Sequence, residues 1–304
     1  MAERIRGVWC ATLTPLDATG GPDARMLAAH VERLFAAGVD GIAPFGTTGE
    51  GQSFSVAQRR DGLDALLAAG IAPARIVAGT GCAAIADTIE LTRHAVSVGC
   101  AGALVLPAFF FKGLSEEGIY ASYARLIDGV ADARFRLYLY HIPQVTAVPI
   151  PPDVISRLVT TYPGIVAGIK DSAGDLSHTR GLLERFRSLS IFTGHEPHLP
   201  AALAAGGAGT ICGVANLYPR LVRRLHDHAL TSGAKDELAR VEAFVALLDR
   251  VPIFAAFKAL LAELTGDPKW DALCPPLVPM DRDARRAWLA SVARTGLVKE
   301  RDAA

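Results

Sequence analysis

The chain alternates short apolar runs with longer segments whose apolar residues recur at helical spacing. Eight runs predict strands, at residues 7–13, 41–45, 75–79, 102–106, 136–140, 165–170, 190–193 and 209–212. Most are continuously apolar, as in strands that a parallel sheet buries on both faces. The helical patterns between them include residues 26–37, 56–69, 85–98 and 116–130.

Three junctions between helix and strand share one form, in which a Gly ends the helical pattern and a second Gly begins the strand. They are AGVDG at 37–41, VGCAG at 98–102 and AGGAG at 205–209. Such a Gly can take the left-handed conformation that caps a helix. The repeated unit predicts an α/β fold, a (β/α)8 TIM barrel. A doubly wound sheet is the alternative, but no Gly-rich dinucleotide fingerprint follows the first strand.

Apolar faces continue beyond the eighth predicted strand. Residues 236–264 and 281–293 predict further helices, joined by the Pro-rich segment PPLVP at 275–279. Because these helices carry apolar faces, we expect them to pack on the barrel. The predicted organisation is a barrel over residues 1–220 and a C-terminal helical extension over residues 221–304.

Charge and composition exclude several classes of function. The 31 Lys and Arg balance the 31 Asp and Glu, which removes the electrostatic argument for nucleic-acid or anionic-membrane binding. No run reaches the roughly 18 apolar residues of a membrane-spanning helix, and the first residues lack the apolar region of a signal peptide. Five scattered cysteines without CxxC spacing favour a reducing cytoplasm.

One lysine stands apart from the other basic residues. Only six of the 31 basic residues Lys and Arg are Lys. Lys170 ends an apolar strand, whereas the other five lysines fall in loops or on helices. An amine can lose its proton and attack a carbonyl, which a guanidinium cannot do. This position therefore suggests Schiff-base chemistry. The alternative is a structural ion pair with Asp171 or Glu50.

Hydroxyl groups follow two other predicted strands at the same end of the barrel. Tyr140 ends the strand before that of Lys170, so a phenol and an amine can meet at the carboxyl ends where TIM-barrel chemistry lies. Tyr140 can relay protons there, or be a core aromatic residue whose hydroxyl reaches solvent. Thr47 and Thr48 lie in a Gly-Thr-Thr-Gly loop that can hold a carboxylate or phosphate, although many turns share this sequence.

Histidines raise the alternative of a zinc-dependent aldolase. The candidates are His141, His178, His195 and His198. The last two form an i, i+3 pair interrupted by a Pro, which is not the HExxH helix of zinc enzymes. We therefore predict no metal site.

Five motifs together resemble the dihydrodipicolinate synthase / N-acetylneuraminate lyase family of class I aldolases. They are GTTGE at 46–50, YHIP at 140–143, GIKDS at 168–172, GTICG at 209–213 and AN at 215–216. The likeness extends from TLTP at 12–15 to PPLVP at 275–279. It implies a (β/α)8 barrel with C-terminal helices, usually a homotetramer built as a dimer of dimers. It also implies a reaction without metal or organic cofactor.

The resemblance also implies roles for individual residues. Lys170 would form an imine with pyruvate or another 2-oxo acid, and Tyr140 would shuttle protons. Thr47 and Thr48 would bind the substrate carboxylate or join the proton relay, and Ile211 would line the pyruvate pocket. Three further residues, Gly194, His195 and Glu196, would lie on the substrate side. The alternative is that they form a solvated loop. A protonated imine is an electron sink that stabilises the enamine needed to make or break a C–C bond.

Two positions depart from the family pattern. The synthases carry an Arg where this chain has Val145, and a buried Val offers no donor to the carboxylate of aspartate semialdehyde. The usual paired tyrosines after strand four are replaced by PAFFFK at 107–112, in which Phe109, Phe110 and Phe111 bring no hydroxyl, and Phe109 is the substrate-side residue.

The sequence thus predicts a Schiff-base lyase or aldolase acting on a small-molecule 2-oxo acid and an aldehyde or sugar-acid partner. One alternative is dihydrodipicolinate synthase itself, and another is a dehydratase of 3-deoxy-2-oxo sugar acids. A third, of a different class, is a barrel that binds a 2-oxo acid without turnover. No nucleic-acid or membrane partner is expected.

Overall fold

Eight parallel strands and twelve α-helices alternate along the chain in the computed structural model, which describes residues 4–231 and 233–297. The strands are β1 Gly7–Cys10, β2 Gly41–Ile42, β3 Val77–Gly79, β4 Gly102–Val105, β5 Leu137–His141, β6 Val166–Asp171, β7 Ser190–Thr193 and β8 Gly209–Cys212. The helices are α1 Ala24–Ala36, α2 Val56–Ala68, α3 Ile85–Ser97, α4 Glu116–Val130, α5 Pro143–Thr146, α6 Pro152–Thr161, α7 Leu176–Arg185, α8 Leu199–Ala204, α9 Pro219–Asp227, α10 Ala234–Leu248, α11 Ile253–Thr265 and α12 Arg282–Arg294.

The strands pair in the order β2-β1-β8-β7-β6-β5-β4-β3. A parallel bridge between Ile42 and Ile76 joins β2 to the start of β3, so the sheet curls into a nearly closed barrel. The predicted (β/α)8 TIM barrel is confirmed. The first strand ends at Cys10, earlier than its apolar pattern, and further along that pattern the N–H of Leu13 donates to the side-chain oxygen of Asn216 (2.9 Å).

Alternate residues of each strand divide the core into an inner and an outer part. Tyr138 and Tyr140 of β5 pack inside the barrel with Phe192 of β7 and Ile211 of β8. The residues between them, such as Leu139, face the surrounding helices. Because all strands are parallel, their carboxyl ends meet at one mouth of the barrel.

Side-chain caps fix where several helices begin. Ser55 accepts from the N–H of Gln58, whose side chain accepts from the N–H of Ser55, so the two residues form a capping box before α2. Asp23 and Ser115 cap α1 and α4 with a single side-chain acceptor each. The helices that precede β2, β3 and β5 therefore start at defined residues.

The C-terminal helices are present and pack on the barrel. Within the predicted segment 236–264, the chain leaves the helix after α10 and re-enters it after Pro252, which has no N–H and disfavours a helical residue before it. The predicted boundary between residues 220 and 221 falls inside α9, which packs against β1 as a barrel helix. Among residues 4–231 and 233–297, no helix has the length and apolar content that crossing a bilayer requires.

Candidate active site

Lys170 and Tyr140 lie side by side at the mouth of the barrel. They are register partners on the neighbouring strands β6 and β5. The Nζ of Lys170 donates to the phenolic oxygen of Tyr140 (3.2 Å) and lies 4.3 Å from the centre of its ring. Both side chains are buried. The predicted meeting of an amine and a phenol is therefore found in the structure.

The two carboxylates proposed as ion-pair partners of Lys170 have other partners. Asp171 points away from Lys170 along the strand and accepts from His178 (2.9 Å) and from the hydroxyl of Thr179 (2.7 Å). Glu50 pairs with Lys258, whose Nζ lies 2.5 Å from its Oε1. Lys170 is thus not held in a structural ion pair with either group.

Glu196 and Gly194 complete the surroundings of Lys170 after β7. The Glu196 carboxylate is buried and accepts from the N–H of Val214 (2.9 Å). Burial raises the pKa of Glu196, while that N–H and the charge of Lys170 oppose the rise. A Cβ added at Gly194 would lie 1.9 Å from Oγ of Ser172 and 3.1 Å from Cε of Lys170, so there is no room for a side chain beside these residues. For Glu196, the solvated-loop alternative is wrong.

The Gly-Thr-Thr-Gly loop lies between two residues with left-handed backbone. Phe45 has φ 58° and Glu50 has φ 54°, conformations that are uncommon for residues other than Gly. The N–H groups of Glu50 and Gly51 are used inside the loop, by the carbonyls of Thr47 and Gly46. The hydroxyl of Thr47 is buried without a hydrogen-bond partner. It therefore makes no hydrogen bond to Tyr140 in this structure.

A buried ion pair that the sequence analysis missed ties this loop to the C-terminal extension. The side chains of Glu50 and Lys258 are both fully buried. Lys258 also donates to the carbonyl of Ala272 (2.7 Å), and Glu50 accepts from the N–H of Cys274 (3.0 Å). Burial lowers the pKa of Lys258, and the Glu50 carboxylate opposes that change. A lysine within the apolar segment of α11 was the available signal, because a buried charge requires a partner.

An apolar cavity of about 200 Å³ lies at the mouth, between the loops after β2 and β4, helix α5 and the start of α11. Phe109 and Val145 line it, as does Thr47. Val145 is 56% exposed, so its description as a buried Val was wrong. Its place at the tip of the four-residue helix α5, open to the cavity and to solvent, explains the difference.

The remaining predicted residues occupy separate places around the mouth. Ile211 is fully buried in the barrel interior with Tyr140. Thr48 is half-buried. His195 packs edge-on against His198 at a ring distance of 4.4 Å, and burial lowers the pKa of His195. Nothing in these contacts joins His195 to Lys170.

Two of the histidines come together with Asp171 as a possible metal-binding group. The candidate ligand atoms of His141, Asp171 and His178 all lie within 4.8 Å of one another. The Nδ1 of His141 already accepts from the N–H of Ile150 (3.1 Å), and burial lowers the pKa of His141 to about 4. A neutral ring in that state carries its proton on Nε2 and has no free lone pair. The three side chains therefore fit a hydrogen bond between His178 and Asp171, with the ring of His141 stacked on the ring of His178.

Comparisons with known proteins agree in family and fold. The profile described as the Dihydrodipicolinate synthetase family matches residues 4–294. A protein of Chloroflexus aurantiacus, described as an uncharacterized DapA-like lyase, is 38% identical over 297 residues, covering 97% of this chain and 98% of the relative. The crystal structure of dihydrodipicolinate synthase from Agrobacterium tumefaciens matches with a TM-score of 0.88 and 34% identity, over 95% of this chain and 99% of that one. The 2-keto 3-deoxygluconate aldolase from Picrophilus torridus matches with a TM-score of 0.82 and 25% identity, over 90% and 98%.

Proposed function

The chain belongs to the dihydrodipicolinate synthetase family, whose members are lyases and aldolases, and from that premise we propose that it is a Schiff-base aldolase. Its substrates would be pyruvate or another 2-oxo acid and an aldehyde. The observation that carries the proposal is the amine of Lys170, which is buried at the barrel mouth, donates to Tyr140 and is not paired with Asp171 or Glu50.

The geometry suits imine formation. The Nζ of Lys170 attacks C2 of the 2-oxo acid once the amine is unprotonated, and the new alkoxide takes up a proton. Tyr140, 3.2 Å from Nζ, can accept a proton from nitrogen and donate one to oxygen, so that water leaves and the protonated imine forms. Loss of a proton from the adjacent methyl carbon gives the enamine. That carbon then attacks the aldehyde carbon, and the aldehyde oxygen takes up a proton and becomes the 4-hydroxyl group. Water then hydrolyses the imine, which releases the 4-hydroxy-2-oxo acid and frees Lys170.

The carboxylate of the 2-oxo acid would bind at the Gly-Thr-Thr-Gly loop. The Thr47 hydroxyl is buried without a partner, which suits a group that waits for an acceptor on the substrate. Thr48 in the same loop would supply a second hydroxyl. The imine itself acts as the electron sink, so the proposed reaction uses no metal and no organic cofactor. By the same resemblance we propose a homotetramer, which light scattering in solution can test.

Release of pyruvate tests the proposal against its alternatives. Racemic 4-hydroxy-2-oxo acids are incubated with the protein, and pyruvate is measured with a coupled dehydrogenase. The proposal predicts pyruvate release that disappears in Lys170→Ala. Loss of water from a 3-deoxy-2-oxo sugar acid, without pyruvate release, would favour a dehydratase. A protein that forms the imine but turns over none of these acids would be a binding barrel.

Aspartate semialdehyde is proposed to be a poor partner, because Val145 offers no donor to its carboxylate. A bidentate Arg–carboxylate contact contributes about 1.5–3 kcal/mol, so its absence should lower kcat/KM roughly ten- to a hundredfold. Steady-state rates with pyruvate and the semialdehyde check this prediction. Rates equal to those of a genuine synthase would show that this chain is dihydrodipicolinate synthase proper.

A further inference from the structure

The apolar cavity beside Thr47 has no assigned occupant. Its volume is about 200 Å³, and its apolar walls are Leu106, Phe109, Val145, Phe254 and Leu277. We propose that it is the subsite for the aldehyde's side chain and that this side chain is apolar. The substrate class would be aromatic or short aliphatic aldehydes, rather than hydroxylated or anionic ones. This inference rests on the proposed aldolase function.

The polar side chains around the cavity are largely used within the protein. Gln52 donates its amide to the carbonyl of Gly81 (2.7 Å), and the hydroxyl of Thr146 donates to the carbonyl of Ile142 (3.1 Å). Glu50 is paired with Lys258. The hydroxyl groups of Thr47 and Ser53 remain, and Thr47 is already proposed to hold the 2-oxo acid. A chain of several substrate hydroxyls would therefore find few partners here.

Two lysines hold residues of the cavity wall, and both have partners. Lys258 is buried against Glu50. Lys112 is exposed and donates to the carbonyl of Thr146 (3.0 Å) and to the carbonyl of Phe109. Neither lysine takes the place of an Arg whose guanidinium binds a substrate carboxylate. An anionic aldehyde would thus lose its hydration without gaining a charged hydrogen bond.

The size of the cavity sets the size of the side chain. An apolar cavity of roughly 150 Å³ can hold one benzene molecule. A space of about 200 Å³ therefore accommodates a phenyl ring or an unbranched chain of similar volume. The reaction would join the methyl carbon of pyruvate to the aldehyde carbon. Its product is a 4-hydroxy-2-oxo acid with the apolar group on C4, and no oxidant or reductant is consumed.

A panel of aldehydes tests the proposal with the intact protein. Benzaldehyde and hexanal are compared with D-glyceraldehyde and succinic semialdehyde, each with saturating pyruvate, by following product formation. We expect kcat/KM for the apolar aldehydes to be higher by about 10²-fold, because a hydrophobic pocket discriminates against a hydroxylated ligand by about that factor. Equal or higher kcat/KM for the hydroxylated or anionic aldehydes would overturn the proposal.

A pair of exposed valines supplies a matched control. Val145→Asp places a charge at the cavity and should lower kcat/KM for benzaldehyde at least tenfold. Val278 is 71% exposed and does not line this cavity, so Val278→Asp should leave that value unchanged. An equal response of both variants would contradict the assignment of the cavity.

Trapping the pyruvate imine with borohydride, in the absence of aldehyde, separates this inference from the proposed function. The adduct can form on Lys170 while the protein prefers hydroxylated or anionic aldehydes, or while it consumes no aldehyde. Either result would leave the imine chemistry standing and overturn the apolar subsite. Absence of the adduct contradicts the proposed function itself.

Discussion

The barrel mouth has two sides that differ in chemistry and in construction. On one side, strands β5 and β6 and the loop after β7 bring together Tyr140, Lys170 and Glu196, all buried. On the other side, the loops after β2 and β4 form an apolar cavity with the start of α11. Under the proposed function, the first side would move protons and the second would recognise a side chain of the aldehyde. Lys170 and Tyr140 thus lie on strands, whereas the apolar cavity is built largely from loops that tertiary contacts hold.

The largest effect on the reactive side is expected from Tyr140→Phe. General acid–base groups contribute about 10²–10⁴-fold to rate, so kcat should fall within that range. The pyruvate adduct should still form slowly, because Lys170 remains and the ring still fills its space. Steady-state kinetics on the best 4-hydroxy-2-oxo acid measures the loss. A kcat near that of the wild type would show that Tyr140 is only a packed aromatic residue.

The variant Lys258→Met tests whether the ion pair with Glu50 stabilises the cavity side. Removing one partner of a buried ion pair leaves an uncompensated charge on Glu50, which typically costs about 3–5 kcal/mol. The free energy of unfolding should fall by that amount in denaturant titrations. The same variant should raise KM, because the Gly-Thr-Thr-Gly loop would lose its tie to α11.

The double variant Glu50→Gln/Lys258→Met is the control. It removes both charges, so it should recover a large part of the lost stability. If the loss of stability in the double variant equals the sum of the losses in Glu50→Gln and Lys258→Met, the two charges do not stabilise each other.

A smaller effect is expected behind the reactive side, at His178. The hydrogen bond to Asp171 raises the pKa of His178. Although burial alone would raise the pKa of Asp171, hydrogen bonds from His178 and Thr179 lower it. The His178 contribution is present below about pH 6.5 and is lost as pH rises through its raised pKa, and the Asp171 contribution is lost as pH falls through its lowered pKa.

His178→Ala should therefore cost the most stability between about pH 4 and pH 6.5, on the order of 1.5–3 kcal/mol for a charged hydrogen bond. The difference from the wild type should shrink at alkaline pH. Thermal unfolding across this range measures it. His94→Ala is a matched control, because its partner Asp64 is 52% exposed and its pair should contribute less. A pH-independent cost at His178 would contradict the charged pair.

The two sides also differ in how far the sequence predicted them. The pairing of Lys170 with Tyr140 follows from the ends of two apolar runs, since parallel strands align their carboxyl ends. Eight strand positions and the barrel could be predicted in the same way, from runs buried on both faces. Strand ends were less certain, because hydrogen bonds such as that between Leu13 and Asn216 depend on residues far apart in the sequence.

The cavity side could not be predicted from periodicity. Glu50 meets Lys258 only after the whole barrel has formed, and Val145 is exposed because the chain after β5 makes a single short helical turn. Leu106, Phe254 and Leu277 come from three separate segments and carry no motif. Local patterns report burial and reactive residue types, but they do not report which loops meet.

Trapping with pyruvate and borohydride shows directly whether Lys170 is the nucleophile. Intact mass should show one adduct per chain, and peptide mapping should place it on Lys170 and not on Lys258, the other buried lysine among residues 4–231 and 233–297. Lys170→Ala should keep the circular dichroism of the wild type and lose the adduct. An adduct that persists in Lys170→Ala, or that maps to another lysine, would contradict the account.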